Sequence, residues 1–247
     1  MPNTTLHNPE RFDQHAADMF LRSWQLYRKV IQHDYMYHRE ITAKVANYLA
    51  CYAPAHQLIL VDLGCGDASM ALPLLPAIRF SKYIGCDLSE SALAVAREQL
   101  DAQRISYQLF NEDMHTTIAH LEEASVDVVF SSFAMHHLDP LNKEEMVRQA
   151  YRILKPGGRF ILVDVFREGQ ESRDETLTHY NQQIAQGWTA LNESEVEMII
   201  DHSTHFDYPE PAEFYERCAL SAGFSSAENL CRLTWHEVWV FSKYQVV

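Results

Sequence analysis

The sequence has little positive charge. In 247 residues, 20 lysines and arginines stand against 34 aspartates and glutamates, a formal net charge of −14. An acidic chain without a basic stripe repels a phosphate backbone. The chain also lacks an apolar run of the about 18 residues that a spanning helix needs, and its start lacks the basic and then apolar pattern of a signal peptide. We therefore expect a cytoplasmic protein that contacts neither nucleic acid nor membrane.

Cysteine is scarce as well, and no CxxC pair is present. The five cysteines are Cys51, Cys65, Cys86, Cys218 and Cys231. An odd number at wide spacing fits neither a disulfide framework nor a zinc knuckle, so buried reduced thiols are the simplest interpretation. Apolar residues are plentiful at 47% of the chain, which is enough for the packed core of one elaborated domain.

From residue 57 onward, short β-type runs alternate with amphipathic helical stretches, which is typical of a parallel sheet built from βαβ units. The predicted strands cover residues 57–63, 80–87, 105–111, 126–131 and 159–165. The predicted helices between them cover residues 68–75, 89–101, 116–121 and 141–154. Ser89 is a suitable N-cap for the second of these helices. Pro73 and Pro76 should keep the first helix short or kinked. After Pro209 and Pro211 a C-terminal helix is predicted to end at Gly223, and the two apolar runs that follow, 224–233 and 235–244, predict an antiparallel hairpin.

Two regions fall outside this alternation. Residues 1–50 have a helical pattern rich in aromatic side chains and predict a cap or lid. Residues 166–204 predict an inserted pair of helices, the second starting at Asn192 with Glu195 completing a capping box. The predicted organisation is therefore a helical cap followed by an α/β core, residues 51–247, that carries the insertion.

The first predicted strand ends in a turn with two glycines, Gly64 and Gly66. Glycines at the carboxyl end of a parallel strand let a ligand approach the backbone closely. A dinucleotide fingerprint has a third glycine where this chain has Ser69, which disfavours an NAD dehydrogenase. The second predicted strand ends at Asp87, where a carboxylate suits hydrogen bonds to ribose hydroxyls.

Five motifs, in this order along the chain, resemble the class I, seven-strand S-adenosylmethionine-dependent methyltransferases. They are Val-Asp-Leu-Gly-Cys-Gly-Asp-Ala, Tyr-Ile-Gly-Cys-Asp-Leu-Ser, Asn-Glu-Asp-Met, Val-Asp-Val-Val-Phe-Ser-Ser-Phe-Ala-Met-His-His-Leu and Leu-Lys-Pro-Gly-Gly-Arg-Phe. The resemblance covers residues 57–165 closely and 206–244 more loosely, with Ala68 replacing a frequent third glycine. It implies a doubly wound, mostly parallel α/β sheet of seven strands whose last strand is antiparallel, and S-adenosylmethionine as the cofactor.

The resemblance also implies which residues bind the cofactor. Asp87 corresponds to the ribose carboxylate, Asp113 to the acceptor of the adenine amine and Met114 to a backbone contact with the ring. The whole expected set is Asp62, Gly64, Cys65, Gly66, Asp87, Leu88, Asp113, Met114 and Ser131. For Asp62 and Asp67, capping or bracing of the turn is the competing interpretation.

Candidate residues for the methyl acceptor are expected in the regions outside the cofactor loop. His136 and His137 follow the fourth strand, where the acceptor approaches the methyl group, and are candidate catalytic residues; alternatively they position that loop. Candidate substrate-binding residues are Tyr27, Tyr35, Arg39 and Trp188, for which packing in the core is the alternative.

A second polar group precedes the C-terminal helix and consists of Asp201, His202, His205, Asp207 and Tyr208. With His136 or His137 it could hold a divalent metal, because histidines and carboxylates are suitable ligands. Polar residues at an exposed helix end are commonplace, however, and we expect no metal.

The leading function is direct in-line transfer of a methyl group from S-adenosylmethionine, with S-adenosylhomocysteine as the product, to a small-molecule acceptor. The sulfonium already activates the methyl group, so the enzyme has mainly to align the acceptor. We expect a monomer or a homodimer. The alternatives are a noncatalytic cofactor-binding subunit that regulates a partner enzyme, and a non-methyl transfer or cofactor-modifying reaction on the same fold.

Overall fold

The structure is a computed structural model that describes residues 26–52 and 57–244. Residues 26–32 are helical. The α-helices that follow are α1 His38–Tyr52, α2 Glu90–Ala102, α3 Met114–His120, α4 Pro140–Ile153, α5 Arg173–Gly187, α6 Glu193–Phe206 and α7 Ala212–Ala222. The strands are β1 Leu58–Leu63, β2 Phe80–Cys86, β3 Tyr107–Phe110, β4 Val126–Ser132, β5 Leu154–Val165, β6 Ser226–Leu233 and β7 His236–Ser242.

The strands form one seven-stranded sheet in the order β3-β2-β1-β4-β5-β7-β6. Strands β1 to β5 pair in parallel, whereas β7 runs antiparallel to both β5 and β6. This confirms the predicted sheet and its antiparallel last strand. The strand order reverses between β1 and β4, and ligands of open α/β sheets bind in the crevice beyond the carboxyl ends at such a point.

The sheet is buried on both faces. Leu60 of β1 packs into the core on one face together with Ile41 and Val45 of α1, whereas its neighbour Val61 packs on the other face with Val147 of α4. Because successive side chains point to opposite faces, a strand covered on both sides is apolar throughout. The two layers of helices leave the carboxyl edge as the place where polar side chains gather.

The boundaries differ from the sequence predictions at two places. The first predicted helix is a short 3₁₀ helix, Leu72–Ala77, because Pro73 and Pro76 lack the backbone donors of an α-helix. The fifth strand begins earlier than predicted, at Leu154, and its pairing with β4 carries an irregularity between Val126 and Val128.

The predicted helix signals are confirmed. Ser89 caps α2 by accepting a hydrogen bond from the Ala92 backbone N–H, and Asn192 and Glu195 form the predicted capping box of α6. Residues 1–25 of the predicted lid lie outside the described residues. Among the residues that are described, none belongs to a helix long and apolar enough to cross a membrane.

Candidate active site

The turn after β1 is held in a left-handed backbone conformation. Gly64 and Gly66 have φ values of +72° and +53°, and Ala68 has +64° despite its Cβ. A Cβ on Gly64 would also lie 2.4 Å from the Cβ of Ala134, so the turn packs directly against the loop after β4. The close approach of the turn to the loop after β4 therefore requires glycine at position 64.

Asp87 joins the end of β2 to this turn. Its Oδ2 accepts a 2.8 Å hydrogen bond from the Gly66 N–H, and its Oδ1 accepts one of 2.8 Å from the Ser89 N–H. Burial raises the pKa of Asp87, and these two backbone donors oppose the rise. Since a carboxylate offers about four acceptor positions, the group retains capacity for hydroxyl donors. The side chain of Asn111, beyond β3, donates to the carbonyls of Asp87 and Leu88.

Two of the predicted cofactor-binding side chains form hydrogen bonds inside the sheet. Asp62 is buried and accepts a 2.7 Å hydrogen bond from the Tyr83 hydroxyl, and burial raises its pKa to about 7. Ser131 is also buried, and its hydroxyl donates to the carbonyl of Leu63 at 3.1 Å. Both side chains brace the strands beneath the turn, in agreement with the alternative role considered for Asp62. The buried thiol of Cys65 lies in the turn itself.

Asp113 and Met114 border the same crevice. Asp113 caps α3, and its carboxylate accepts hydrogen bonds from the backbone N–H and the hydroxyl of Thr116 at 3.0 and 2.5 Å. Burial raises the pKa of Asp113, but the Thr116 donors outweigh it and the net pKa is lowered. A Cβ on Gly64 would be 3.7 Å from Cε of Met114, which places that side chain against the glycine turn.

A cluster of histidines and carboxylates lies beyond β4 and β5. His136 and His137 stand in a single 3₁₀ turn, Met135–His137, and Nδ1 of His136 contacts Oδ1 of the buried Asp164 in β5. Asp207, directly after α6, brings its Oδ1 to 3.7 Å from His136 Nε2 and 3.2 Å from His137 Nδ1. Nε2 of His202 is 3.6 Å from the same oxygen.

The pKa values in this cluster diverge. Burial lowers the pKa of His136, but the Asp164 and Asp207 carboxylates outweigh it and the net pKa is raised. Burial and the charge of His136 lower the pKa of His137, and burial with the charge of His137 lowers that of His202 to about 4. Burial disfavours the Asp207 carboxylate, yet His136 and His137 hold its pKa at about 2.

A cavity of about 110 Å³ opens onto this cluster. Its wall is mainly apolar, and it includes Leu26, Tyr27, Val30, Met36, Phe133, Trp188, Met198 and Ile199. Its polar end is formed by His136, His137, His202 and Asp207. Burial raises the pKa of Tyr27, and the charges of Asp67, Asp87 and Asp164 raise it further. Tyr27 thus lines the cavity and is within electrostatic range of these three carboxylates.

The residues predicted to bind the methyl acceptor lie in different places in the structure. Trp188 lines the cavity, and Tyr35 stacks on it with ring centroids 5.0 Å apart while its hydroxyl accepts a 2.7 Å hydrogen bond from the Ala190 N–H. Arg39 is exposed, donates to the carbonyl of Gln32 at 3.3 Å and does not line the cavity.

The polar residues predicted to precede the C-terminal helix, 201–208, also lie in different places. His202 and Asp207 join the cluster, whereas Asp201 and His205 form an exposed pair 3.2 Å apart. Tyr208 lies under the guanidinium of Arg173. Sequence reasoning missed Asp164, whose signal is a lone acid within the apolar strand run 160–165.

Comparisons with known proteins agree with this geometry. Residues 60–158 match a family model described as a methyltransferase domain. Carboxy-S-adenosyl-L-methionine synthases from Yersinia enterocolitica and Yersinia pestis are 25% and 26% identical to the chain over 173 residues. The match covers 68% of this chain and 63% of each relative, so the chain spans less than two thirds of their length.

Solved structures with the same fold are more distant in sequence. Magnesium protoporphyrin IX methyltransferase from Synechocystis PCC 6803, solved with bound SAH, superposes with a TM-score of 0.66 at 16% identity, covering 94% of this chain and 99% of that one. An O-methyltransferase family protein from Burkholderia thailandensis has a TM-score of 0.64 at 14% identity, covering 95% and 62%.

Proposed function

We propose that the protein transfers the methyl group of S-adenosylmethionine to a small-molecule acceptor. Residues 60–158 match a model described as a methyltransferase domain, and the seven-stranded sheet is the one implied by the resemblance to class I S-adenosylmethionine-dependent methyltransferases. The observation that carries the proposal is the cavity of about 110 Å³ whose wall is mainly apolar and includes Tyr27, and whose polar end is the histidine cluster in the loop after β4.

The glycine turn is the cofactor end of the site. Gly64 and Gly66 supply an open backbone, and Asp87, held by the Gly66 and Ser89 N–H groups, presents its remaining lone pairs to the ribose hydroxyls. Met114 packs beside Gly64 and provides an apolar surface for the adenine ring. Leu88 is the residue between Asp87 and the cap of α2, where the ribose and the adenine would meet.

The cavity is the acceptor end. In the transfer, a lone pair of the acceptor attacks the methyl carbon, the C–S bond breaks, and its electron pair returns to sulfur to give neutral S-adenosylhomocysteine. The acceptor heteroatom loses a proton if it carries one. His136 and His137 orient that atom, and an uncharged imidazole such as His137 can accept the proton. The apolar wall excludes water and selects an uncharged, partly apolar acceptor.

The test is to incubate the protein with methyl-labelled S-adenosylmethionine and a broad metabolite extract, and to identify the labelled product by mass spectrometry. Ile199→Trp, which fills the cavity, should abolish labelling while S-adenosylhomocysteine still binds in a calorimeter. Leu220→Trp, at a position 76% exposed on α7, is the matched control. Cofactor binding without any labelled product from the wild type would contradict the proposal.

A cofactor-modifying reaction is the second candidate. Its specific support is the name of the Yersinia relatives, which are carboxy-S-adenosyl-L-methionine synthases. The two functions differ in the fate of the methyl group. A methyltransferase yields S-adenosylhomocysteine and a methylated acceptor, whereas a cofactor-modifying enzyme yields a heavier cofactor that keeps its methyl group. Mass spectrometry of the cofactor after turnover therefore separates them.

A further inference from the structure

The histidine cluster has the dimensions of a metal site. One ligand atom each from His136, His137 and Asp207 lies within 4.8 Å of the others. For a tetrahedral ion with ligand bonds of about 2.0–2.1 Å, neighbouring ligand atoms are about 3.3–3.4 Å apart. Asp207 Oδ1 is 3.2 Å from His137 Nδ1 and 3.7 Å from His136 Nε2, so two of the three ligand distances are close to those of a tetrahedral site.

The surroundings of these three side chains match those of a ligand set. Asp164, fully buried in β5, contacts Nδ1 of His136, which leaves Nε2 of the ring directed towards Asp207. A carboxylate on the distal nitrogen of a ligating histidine fixes the ring orientation. Nε2 of His202 is 3.6 Å from Oδ1 of Asp207, so this ring packs against the ligand set and restricts the position of the carboxylate.

The three proposed ligands come from two separate elements, and hydrogen bonds to the backbone carbonyls of two of them hold these elements in place. Tyr208 donates its N–H to the carbonyl of His136 at 2.7 Å, and Arg173 donates to the carbonyl of Asp207 at 2.7 Å. The 3₁₀ turn after β4 and the end of α6 are thereby joined on either side of the cluster. The cavity is lined by all three side chains, so a position on the cavity side of the cluster is left open for the acceptor.

We propose that His136, His137 and Asp207 bind a divalent transition-metal ion of the Zn²⁺ class, with Asp164 and His202 as positioning residues. Three protein ligands and one open position are typical of catalytic rather than structural zinc. Imidazole and carboxylate together suit Zn²⁺ and Fe²⁺ better than Mg²⁺ or Ca²⁺.

The role of the ion rests on the proposed function. At the open position it binds a hydroxyl or thiol of the acceptor and lowers the pKa of that group. His136 and His137 would then be ligands, and the ion would replace them in orienting the acceptor and releasing its proton. The proton would pass to solvent, and the resulting oxyanion or thiolate would attack the methyl carbon. The electron pair of the C–S bond goes to sulfur, and the oxidation state of the metal does not change.

The experiment titrates untagged, chelator-treated protein with Co²⁺ and follows both the heat of binding and the visible absorption of tetrahedral cobalt. We expect one ion per chain. Asp207→Asn and His137→Gln should each weaken binding by about 100-fold or more, and His202→Ala by about 10- to 100-fold. His205→Ala is the matched control, because His205 is an exposed histidine on the same helix, outside the cluster, and its loss should change nothing.

Cobalt binding that is absent, or that is weakened equally by His205→Ala, overturns the proposal. Binding of S-adenosylhomocysteine is measured on every variant to show that it is folded, and if Asp207→Asn does not fold then His137→Gln decides. Cofactor binding without cobalt binding removes the metal and leaves the proposed methyl transfer intact. Cobalt binding by a wild-type protein that does not bind the cofactor supports the metal site and contradicts the proposed methyl transfer.

Discussion

Oδ2 of Asp87 accepts a 2.8 Å hydrogen bond from the backbone N–H of Gly66, which joins the end of β2 to the turn after β1. The contact joins the carboxyl ends of two neighbouring parallel strands, so the geometry of the glycine turn depends on a side chain from the next strand. A change at Asp87 therefore loosens the backbone of the turn and, under the proposed function, also removes a group that binds the ribose.

Asp87→Ala should weaken binding of S-adenosylhomocysteine by about 1–3 kcal/mol, because buried polar partners are left unpaired. The measurement is isothermal calorimetry with NAD as the ligand control. Glu98→Ala, which removes an exposed carboxylate on α2, should bind like the wild type. Equal affinity of the Asp87 variant would exclude Asp87 from the cofactor site, and a binding signal with NAD would contradict the cofactor assignment.

Gly64→Ala should destabilise the fold by several kcal/mol. Its Cβ would lie 2.4 Å from the Cβ of Ala134, and the φ of +72° is unfavourable for any residue with a Cβ. Gly187→Ala is the control, because a Cβ there meets nothing within 4 Å at the end of α5 and should stabilise by up to about 1 kcal/mol. Urea denaturation measures both, and similar unfolding midpoints would refute the packing of the turn.

Tyr83→Phe should lower the free energy of unfolding by about 1–3 kcal/mol, since Asp62 would lose its donor inside the sheet. Adding Asp62→Leu, which removes the buried acceptor as well, should restore part of the loss. A double-mutant cycle in urea gives the coupling between the two side chains. A coupling energy near zero would mean that the hydrogen bond between Tyr83 and Asp62 does not stabilise the fold. That result would favour cofactor binding as the role of Asp62.

His38 should make the protein sensitive to acid. It is buried, and burial lowers its pKa to about 4, with Asp34 opposing the shift. The unfolded chain binds this proton near pH 6.5. Between these pH values the unfolded state binds more protons, so the free energy of unfolding falls as the pH is lowered from about 6.5 to about 4.

His38→Phe cannot titrate, and its ring suits a position 5.2 Å from the ring of Phe133. The pH-dependent loss of stability over this window should therefore shrink by up to about 3 kcal/mol. Denaturant titrations of variant and wild type at a series of pH values give the two slopes. An unchanged slope would mean that other groups carry the acid sensitivity, of which His236, with a pKa lowered by burial to about 3, is one.

Much of the fold could be predicted because its signals are local. The caps at Ser89 and Asn192 and the stop at Gly223, which has a φ of +105°, depend on backbone groups within a few residues. The apolar strands and the glycine turn at Gly64 are local in the same sense. Pro73 shows the limit of this information, since it predicts a disturbed helix without specifying the 3₁₀ geometry.

The site required the tertiary structure, because register and topology decide which distant side chains meet. Ser131 belongs to the motif of the fourth strand and is predicted to bind the cofactor, yet pairing of β4 with β1 turns its hydroxyl towards the carbonyl of Leu63. Asp164 and Asp207 are separated along the chain, and only the order of the sheet and the return of α6 bring both to His136. The sequence by itself determined the elements and the cofactor turn; the packing of α6 against the carboxyl edge decided the cavity and its cluster of ionisable groups.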